Sequence, residues 1–263
     1  MESISKLVSL KDSRAIITGA ASGIGPAIAG RFAEAGADLV LVDINQAGLG
    51  ETVKGLQAFP VDVRGEVVDL TRRGQIESFW QKLAQPCPDI LINNAGIYPM
   101  KDFLRVDSTH LEKTLRVNFK APFWMCQEFI HRRWQQGGTI VNVSTIEAIL
   151  PFKKGMVPYI SSKAALIALT RSLAHDYGRQ GFRANVIVPG AIKTPGTQSL
   201  IKSTVRRLDV GLMKTGYLFQ NRLALGRWGS PDEVARVALF LASQLSSYVQ
   251  GAIIPVDGGF LSS

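Results

Sequence analysis

The sequence predicts an α/β fold: a doubly wound parallel sheet of seven strands with helices on both faces, in a single domain. Three observations carry that expectation. Short runs rich in Val and Ile alternate with longer stretches at helical period along the whole chain. The short runs are apolar on both faces, which suits strands covered by helices on both sides. No linker, low-complexity tract or repeat interrupts this alternation over 263 residues.

The first strand is expected over residues 15–18, followed by a glycine-rich turn and a helix over 24–35. Gly36 ends that helix, because glycine accepts left-handed dihedrals. A second strand over 39–43 leads to a short helix and a loop before Asp62. The third strand is expected over 67–69, a helix over 75–84, and the fourth strand over 90–93. A long helix over 111–136 precedes the fifth strand, 140–144. A helix over 164–177, with Leu166, Leu169 and Leu173 along one stripe, precedes the sixth, 184–188. That stripe suits a two-fold contact or burial against the subunit's own sheet. Ser230-Pro231-Asp232-Glu233 opens the last helix with an N-cap, a first-turn proline and a capping-box glutamate. The seventh strand is expected over 252–256. Parallel neighbours require right-handed crossovers, so the helices divide between the two faces. Residues 195–226 break the rhythm at the carboxyl end of a strand, where insertions shape ligand crevices; they are expected to form a substrate lid.

Composition narrows the function classes. Hydrophobic residues at 46% provide a sizeable core and exclude extended disorder. No apolar run approaches the roughly 20 residues needed to span a bilayer, and residues 1–11 lack a signal-peptide core. The net charge is +9, but the positives are dispersed in pairs such as Arg72-Arg73, Lys153-Lys154 and Arg206-Arg207, without a nucleic-acid-binding motif. Cys87 and Cys126 fit reduced thiols of a cytoplasmic protein. His110, His131 and His175 have no ligand spacing, so no metal is expected. Trp80, Trp124, Trp134 and Trp228 read as packing residues.

Thr18-Gly19-Ala20-Ala21-Ser22-Gly23-Ile24-Gly25 joins the first strand to the first helix, the context in which a glycine-rich turn binds a dinucleotide. Gly19 permits the tight turn, Gly23 and Gly25 permit close backbone approach, and the helix N-terminus offers free N–H groups to phosphate. Pro26 is tolerated because first-turn amides lack helical acceptors. Asp43 ends the second strand about twenty residues on, where a carboxylate accepts from both adenosine ribose hydroxyls and repels a 2′-phosphate. Ala20, Ala21, Ile44 and Asn45 supply no basic group. The expected cofactor is NAD rather than NADP.

With these motifs in order along nearly the whole chain, the sequence resembles the short-chain dehydrogenase/reductase family in its compact single-domain form, a Rossmann-type fold. The spacing TGxxxGxG at residues 18–25 resembles that family's dinucleotide loop. Asn93-Asn94-Ala95-Gly96 resembles its motif after the fourth strand. Val117-Asn118, Ser144 and Tyr159-Ile160-Ser161-Ser162-Lys163 match its catalytic positions. Pro189-Gly190-Ala191-Ile192-Lys193-Thr194 resembles the nicotinamide-amide segment, and Asp257-Gly258-Gly259 its C-terminal signature. The resemblance implies cofactor contacts at Gly19, Ser22, Gly23, Ile24, Gly25, Asp43 and Ile44, and further along at Asn93, Ala95, Gly96, Tyr159, Lys163, Pro189, Gly190, Ile192 and Thr194. It also implies an aspartate beside the adenine; Asp62 and Asp69 both fit, and Asp69 with Leu70 has the better spacing. A homotetramer is implied as well.

The chemistry of the matched residues is coherent. Oxidising an alcohol requires loss of its hydroxyl proton, and reducing a carbonyl requires a proton donor. Tyr159 is the candidate, with a phenol near pKa ~10 that needs tuning to act at neutral pH. Lys163, four residues later, shares its helix face, and its ammonium favours tyrosinate. Ser144 is suited to hydrogen-bond the substrate oxygen; the resemblance implies that Asn118 holds a proton-relay water. The expected function is NAD-dependent interconversion of a secondary alcohol and a carbonyl, with a sugar, polyol or small hydroxy compound as substrate. The alternatives are a 3-oxoacyl-acyl-carrier-protein reductase and, from another class, a non-catalytic NAD-binding regulator. Glu147 suits a substrate hydroxyl, or is an exposed loop carboxylate. Lys202, Arg206, Arg207, Lys214 and Arg222, with Lys153 and Lys154 opposite, suit attraction of an anionic substrate.

Overall fold

A computed structural model describes residues 2–83, 85–198, 216 and 219–263. The strands are β1 (Arg14–Thr18), β2 (Asp38–Asp43), β3 (Val63–Val67), β4 (Ile90–Asn93), β5 (Gly138–Val143), β6 (Phe182–Pro189) and β7 (Ile253–Val256). They form one sheet in the order β3-β2-β1-β4-β5-β6-β7, every neighbouring pair parallel. The strand order reverses between β1 and β4, and the crevice beyond their carboxyl ends is where doubly wound folds bind ligands. The helices are α1 (Ile4–Val8), α2 (Ile24–Glu34), α3 (Gln46–Gly55), α4 (Arg73–Lys82), α5 (Ser108–Leu115), α6 (Ala121–Arg132), α7 (Val157–Tyr177) and α8 (Pro231–Ala242).

Alternation along the strands sends side chains into two cores. Ile17 and Leu41 face one side with Ile28 and Phe32 of α2 and Val234 and Leu241 of α8. Ile16 and Val40 face the other with Phe79 and Trp80 of α4 and Met125 and Phe129 of α6. No helix among the described residues is long and apolar enough to cross a membrane.

The structure corrects several boundaries. The third strand runs over Val63–Val67 rather than 67–69, and all of its five residues but Val63 are exposed. It is the edge strand, with Leu49 and Val53 of α3 close to Gly65, and Arg64, Gly65 and Glu66 hide it from a search for apolar runs. The long helix starts at Ser108, where the Asp107 side chain caps the His110 N–H, and carries a π turn over Arg116–Lys120 that contains Asn118. Helix α7 starts at Val157, seven residues earlier than expected, because Pro158 occupies its first turn. Both Tyr159 and Lys163 therefore lie on it. Leu166 is fully buried, and Leu173 packs against the subunit's own core. The capping box of α8 is present: Ser230 Oγ accepts from Glu233 N at 3.3 Å and Glu233 Oε2 accepts from Ser230 N at 2.8 Å.

Candidate active site

A cavity of about 860 Å³ runs along the carboxyl ends of the central strands. Its first zone is built on the turn between β1 and α2. Gly19 has φ +68°, and a Cβ there would stand 2.8 Å from the Ala95 Cα; a Cβ on Gly25 would stand 2.1 Å from the Gly19 oxygen. The turn closes only with glycine at both positions. Asn94 fastens it to the end of β4, donating from Nδ2 to the Thr18 and Gly19 carbonyls at 3.0 and 3.1 Å. Thr18 Oγ1 accepts from Asn94 N and Ala95 N. Gly19, Ser22, Gly23 and Ile24 line the cavity at this end, beside the N-terminus of α2, where unpaired amides favour phosphate.

Asp43 stands at the end of β2 with both oxygens anchored: Oδ2 accepts from Ala21 N and Oδ1 from Asn45 N, each at 2.9 Å. A carboxylate offers about four lone pairs, so each oxygen keeps one for a ligand hydroxyl. Ile44 beside it is exposed, and no Lys or Arg lines this end among the described residues. Asp69 and Leu70 flank the same end. Burial would raise the Asp69 carboxyl, but the Thr71 hydroxyl and amide and the Arg72 guanidinium hold it below its usual value.

The middle zone gathers the residues of β5, α7 and the π turn. Ser144 Oγ donates to the Lys163 carbonyl at 2.9 Å, and Lys163 Nζ donates to the Val143 carbonyl at 2.7 Å. Lys163 is buried, and burial pushes its ammonium down to about 8. Burial raises the Tyr159 phenol well above its usual value; the Thr145 hydroxyl opposes this, and the charges of Glu147 and Tyr98 add to it. The free protein therefore holds Tyr159 as a neutral acid. Gly96 lets the group close up, since its Cβ would stand 3.3 Å from both Asn118 Oδ1 and Lys163 Nζ.

Asn118 is fully buried behind this wall. Its Oδ1 accepts from Ile97 N and its Nδ2 donates to Ile97 O, both at 2.8 Å, and Nδ2 also reaches Ser162 Oγ at 3.2 Å. Only one Oδ1 lone pair is left for a water.

The third zone lies beyond Ser144 and is walled by Ile146, Phe152, Met156, Phe219 and Trp228, with Glu147 and Lys153 among them. The Phe219 and Phe260 rings stack at 4.5 Å. Asp257 anchors that C-terminal segment by accepting from Gly259 N and Leu261 N, and it packs on Gly190, whose Cβ would stand 2.8 Å from the Asp257 Cα.

Most sequence-predicted residues meet in this cavity: Ala95, Gly96, Pro189, Gly190, Ile192 and Thr194 line it with those above. Asn93 does not. Its Nδ2 donates to Asn142 Oδ1 at 2.9 Å beneath the sheet, because alternation along β4 turns Asn93 inward and leaves Asn94 at the cavity. Gly25 also stays out of the lining and acts by close packing. Trp228, read as packing, lines the cavity and packs on Phe219. Glu147 is buried, not an exposed loop carboxylate. Arg222 faces away, donating to the Phe260 carbonyl at 3.0 Å; Lys202, Arg206, Arg207 and Lys214 lie outside the described residues. Tyr98 and Thr145 went unnoticed, since neither belongs to a spaced motif.

The profile of a protein family described as Enoyl-(Acyl carrier protein) reductase matches residues 19–261. A 3-oxoacyl-(acyl-carrier-protein) reductase of Thermotoga maritima is 36% identical over 249 residues, covering 94% of this chain and 96% of the relative. A gluconate 5-dehydrogenase of Gluconobacter oxydans is 34% identical over 263 residues, covering 98% of each. Among solved structures, a protein named as an NAD(P)-dependent gluconate 5-dehydrogenase from Beutenbergia cavernae, with NADP bound at low occupancy, superimposes with a TM-score of 0.87. It is 30% identical and covers 98% of this chain and 100% of that one.

Proposed function

The chain belongs to the short-chain dehydrogenase/reductase family of oxidoreductases, and on that premise we propose that it interconverts a secondary alcohol and a ketone with NAD as the preferred cofactor. The observation that carries this reading is the meeting of Ser144, Tyr159 and Lys163 in one cavity with a phosphate-binding turn and Asp43. A bound nicotinamide supplies the hydride donor or acceptor. The residues present fit such a cofactor: the Gly19–Gly25 cradle would hold the pyrophosphate, Asp43 the adenosine ribose, and Lys163 the second ribose.

The proton chemistry falls to the chain. In reduction, Tyr159 Oη gives its proton to the carbonyl oxygen as that oxygen gains charge, while the Ser144 hydroxyl turns from the Lys163 carbonyl to the same oxygen. In oxidation Tyr159 takes the proton back, which requires the Lys163 ammonium to offset the burial that holds the phenol neutral. Asn118 orders the Ile97 main chain and, through its remaining lone pair, a relay water beside Lys163.

Asp43 favours NAD because a 2′-phosphate would meet a carboxylate with no basic partner; the NADP in the Beutenbergia cavernae neighbour makes parallel assays with both cofactors necessary. A sugar or polyol is the substrate class, supported by the similarity to gluconate 5-dehydrogenase. A second reading, reduction of a 3-oxoacyl thioester, is favoured by the 36% identity to the Thermotoga maritima reductase. The test is turnover of secondary alcohols, aldoses, polyols and 3-oxoacyl esters with NAD(H) and NADP(H) in parallel, beside the Tyr159→Phe variant. Undiminished turnover by Tyr159→Phe removes the reading.

A further inference from the structure

Glu147 sits in the 3-10 turn Ile146–Ala148 that follows β5. Only 6% of it is exposed, its carboxylate accepts no hydrogen bond among the described residues, and its Oε2 is buried without a partner. It lines the third zone of the cavity together with Lys153. A buried carboxylate without a hydrogen bond is costly, and the turn that holds it is itself fixed, with Thr145 Oγ1 accepting from the Glu147 amide at 3.3 Å. The side chain is thus held toward the cavity, unsatisfied. Burial pushes its carboxyl up to about 7, and the Lys153 ammonium pulls the other way. That ammonium acts on it through its charge and not through a hydrogen bond.

Resting on the dehydrogenase reading above, we propose that Glu147 is the specificity-determining residue of the substrate pocket, accepting a hydrogen bond from a hydroxyl on the carbon next to the reacting one. The substrate class is then a hydroxy-ketone and its diol or polyol. A hydroxyl both donates and accepts, so it can donate to Glu147 and accept from Lys153 across the space between them. A 3-oxoacyl thioester has a methylene at that carbon and only an acceptor carbonyl beyond it, and would leave the carboxylate unsatisfied. A substrate carboxylate there would be repelled by Glu147. The remaining walls, Ile146, Phe152, Met156 and Trp228, are apolar and suit the carbon skeleton.

The experiment compares matched ketones with and without the neighbouring hydroxyl: 3-hydroxy-2-butanone against 2-butanone, and 2-hydroxycyclohexanone against cyclohexanone, with ethyl acetoacetate as an oxoacyl surrogate. The wild-type protein is expected to favour each hydroxy-ketone in kcat/KM by about tenfold or more. Glu147→Ala, whose lost charge also acts on Tyr159 for every substrate, is expected to lower the ratio of kcat/KM for each hydroxy-ketone over its plain ketone by about 10- to 100-fold, mostly through KM. Glu147→Gln keeps the shape and one acceptor oxygen, so it should fold and fall between the two. Equal losses on both members of each pair, or no preference for the hydroxyl in the wild-type protein, overturn the proposal and leave the dehydrogenase reading standing. Failure to reduce any ketone with NADH or NADPH removes that reading and the proposal with it.

Discussion

The Ser144 hydroxyl donates to the main-chain carbonyl of Lys163 at 2.9 Å, while Lys163 Nζ returns a bond to the carbonyl of Val143, the residue before Ser144. The strand end and the helix are thus laced together by two residues that line the cavity. Ser144 Oγ has one proton, so it must leave the Lys163 carbonyl to serve a substrate oxygen. Ser144→Ala is expected to lower kcat by about 10²–10³, with NAD affinity unchanged by titration, whereas Ser144→Thr keeps a donor and retains much of the rate.

Burial depresses the folded pKa of Lys163 from 10.5 to about 8. For a cation this means that the folded state binds fewer protons than the unfolded state between those values, so its penalty is full below about pH 8 and is relieved as pH rises toward 10.5. Lys163→Met is expected to stabilise the cofactor-free protein at pH 7 by about 2–3 kcal/mol, while abolishing turnover. The gain in melting temperature should shrink between pH 8 and pH 10; a gain independent of pH would contradict the assignment.

Replacing Asp43 changes which cofactor fits. Asp43→Ser removes the charge that opposes a 2′-phosphate and keeps a short polar side chain near the Ala21 and Asn45 amides. The expected result is a fall of about 10- to 100-fold in kcat/KM for NAD and a smaller or opposite change for NADP. An unchanged NAD-to-NADP ratio would count against the ribose contact.

Gly196 and Tyr98 meet at the cavity rim: a Cβ on Gly196 would lie 2.1 Å from the Tyr98 hydroxyl, and 3.4 Å from the ring carbon that bears it. Gly196→Ala alone should displace Tyr98, whose ring packs edge-on to Tyr159 at 6.3 Å, and raise KM. In a Tyr98→Phe background the clashing atom is gone, so the same change should cost little. A double-mutant cycle is expected to give a coupling of about 1 kcal/mol or more; additive effects would mean that the loop moves freely.

Residues whose role depends on local geometry could be read directly. The glycine turn, Asp43 at a strand end, the Tyr159–Lys163 spacing and the Ser230 capping box each set their own backbone or their own helix face. The edge strand β3 could not, because four of its five residues are exposed and need not be apolar, and Arg64 and Glu66 break the pattern. The residue pattern does not say whether the Asn93 or the Asn94 side chain faces the cavity, because a one-residue shift along β4 moves a side chain from the cavity to the core. Asn118 could be named, but the π turn that aims its amide at the Ile97 main chain left no trace in the residue pattern.

Order along the chain was therefore enough for the fold class and the family, and it named Tyr159 and Lys163 as candidates through their spacing on one helix face. It was not enough for the environment of each group. Glu147 reads in the sequence as either a ligand for a substrate hydroxyl or an exposed loop carboxylate, and only the folded chain makes it buried, with Oε2 unpartnered, in a cavity it shares with Phe152, Phe219 and Trp228. Desolvation is a property of three-dimensional packing. It keeps Tyr159 neutral, weakens Lys163 as a cation and leaves Glu147 Oε2 without a hydrogen-bond partner, and no spacing of letters carries it.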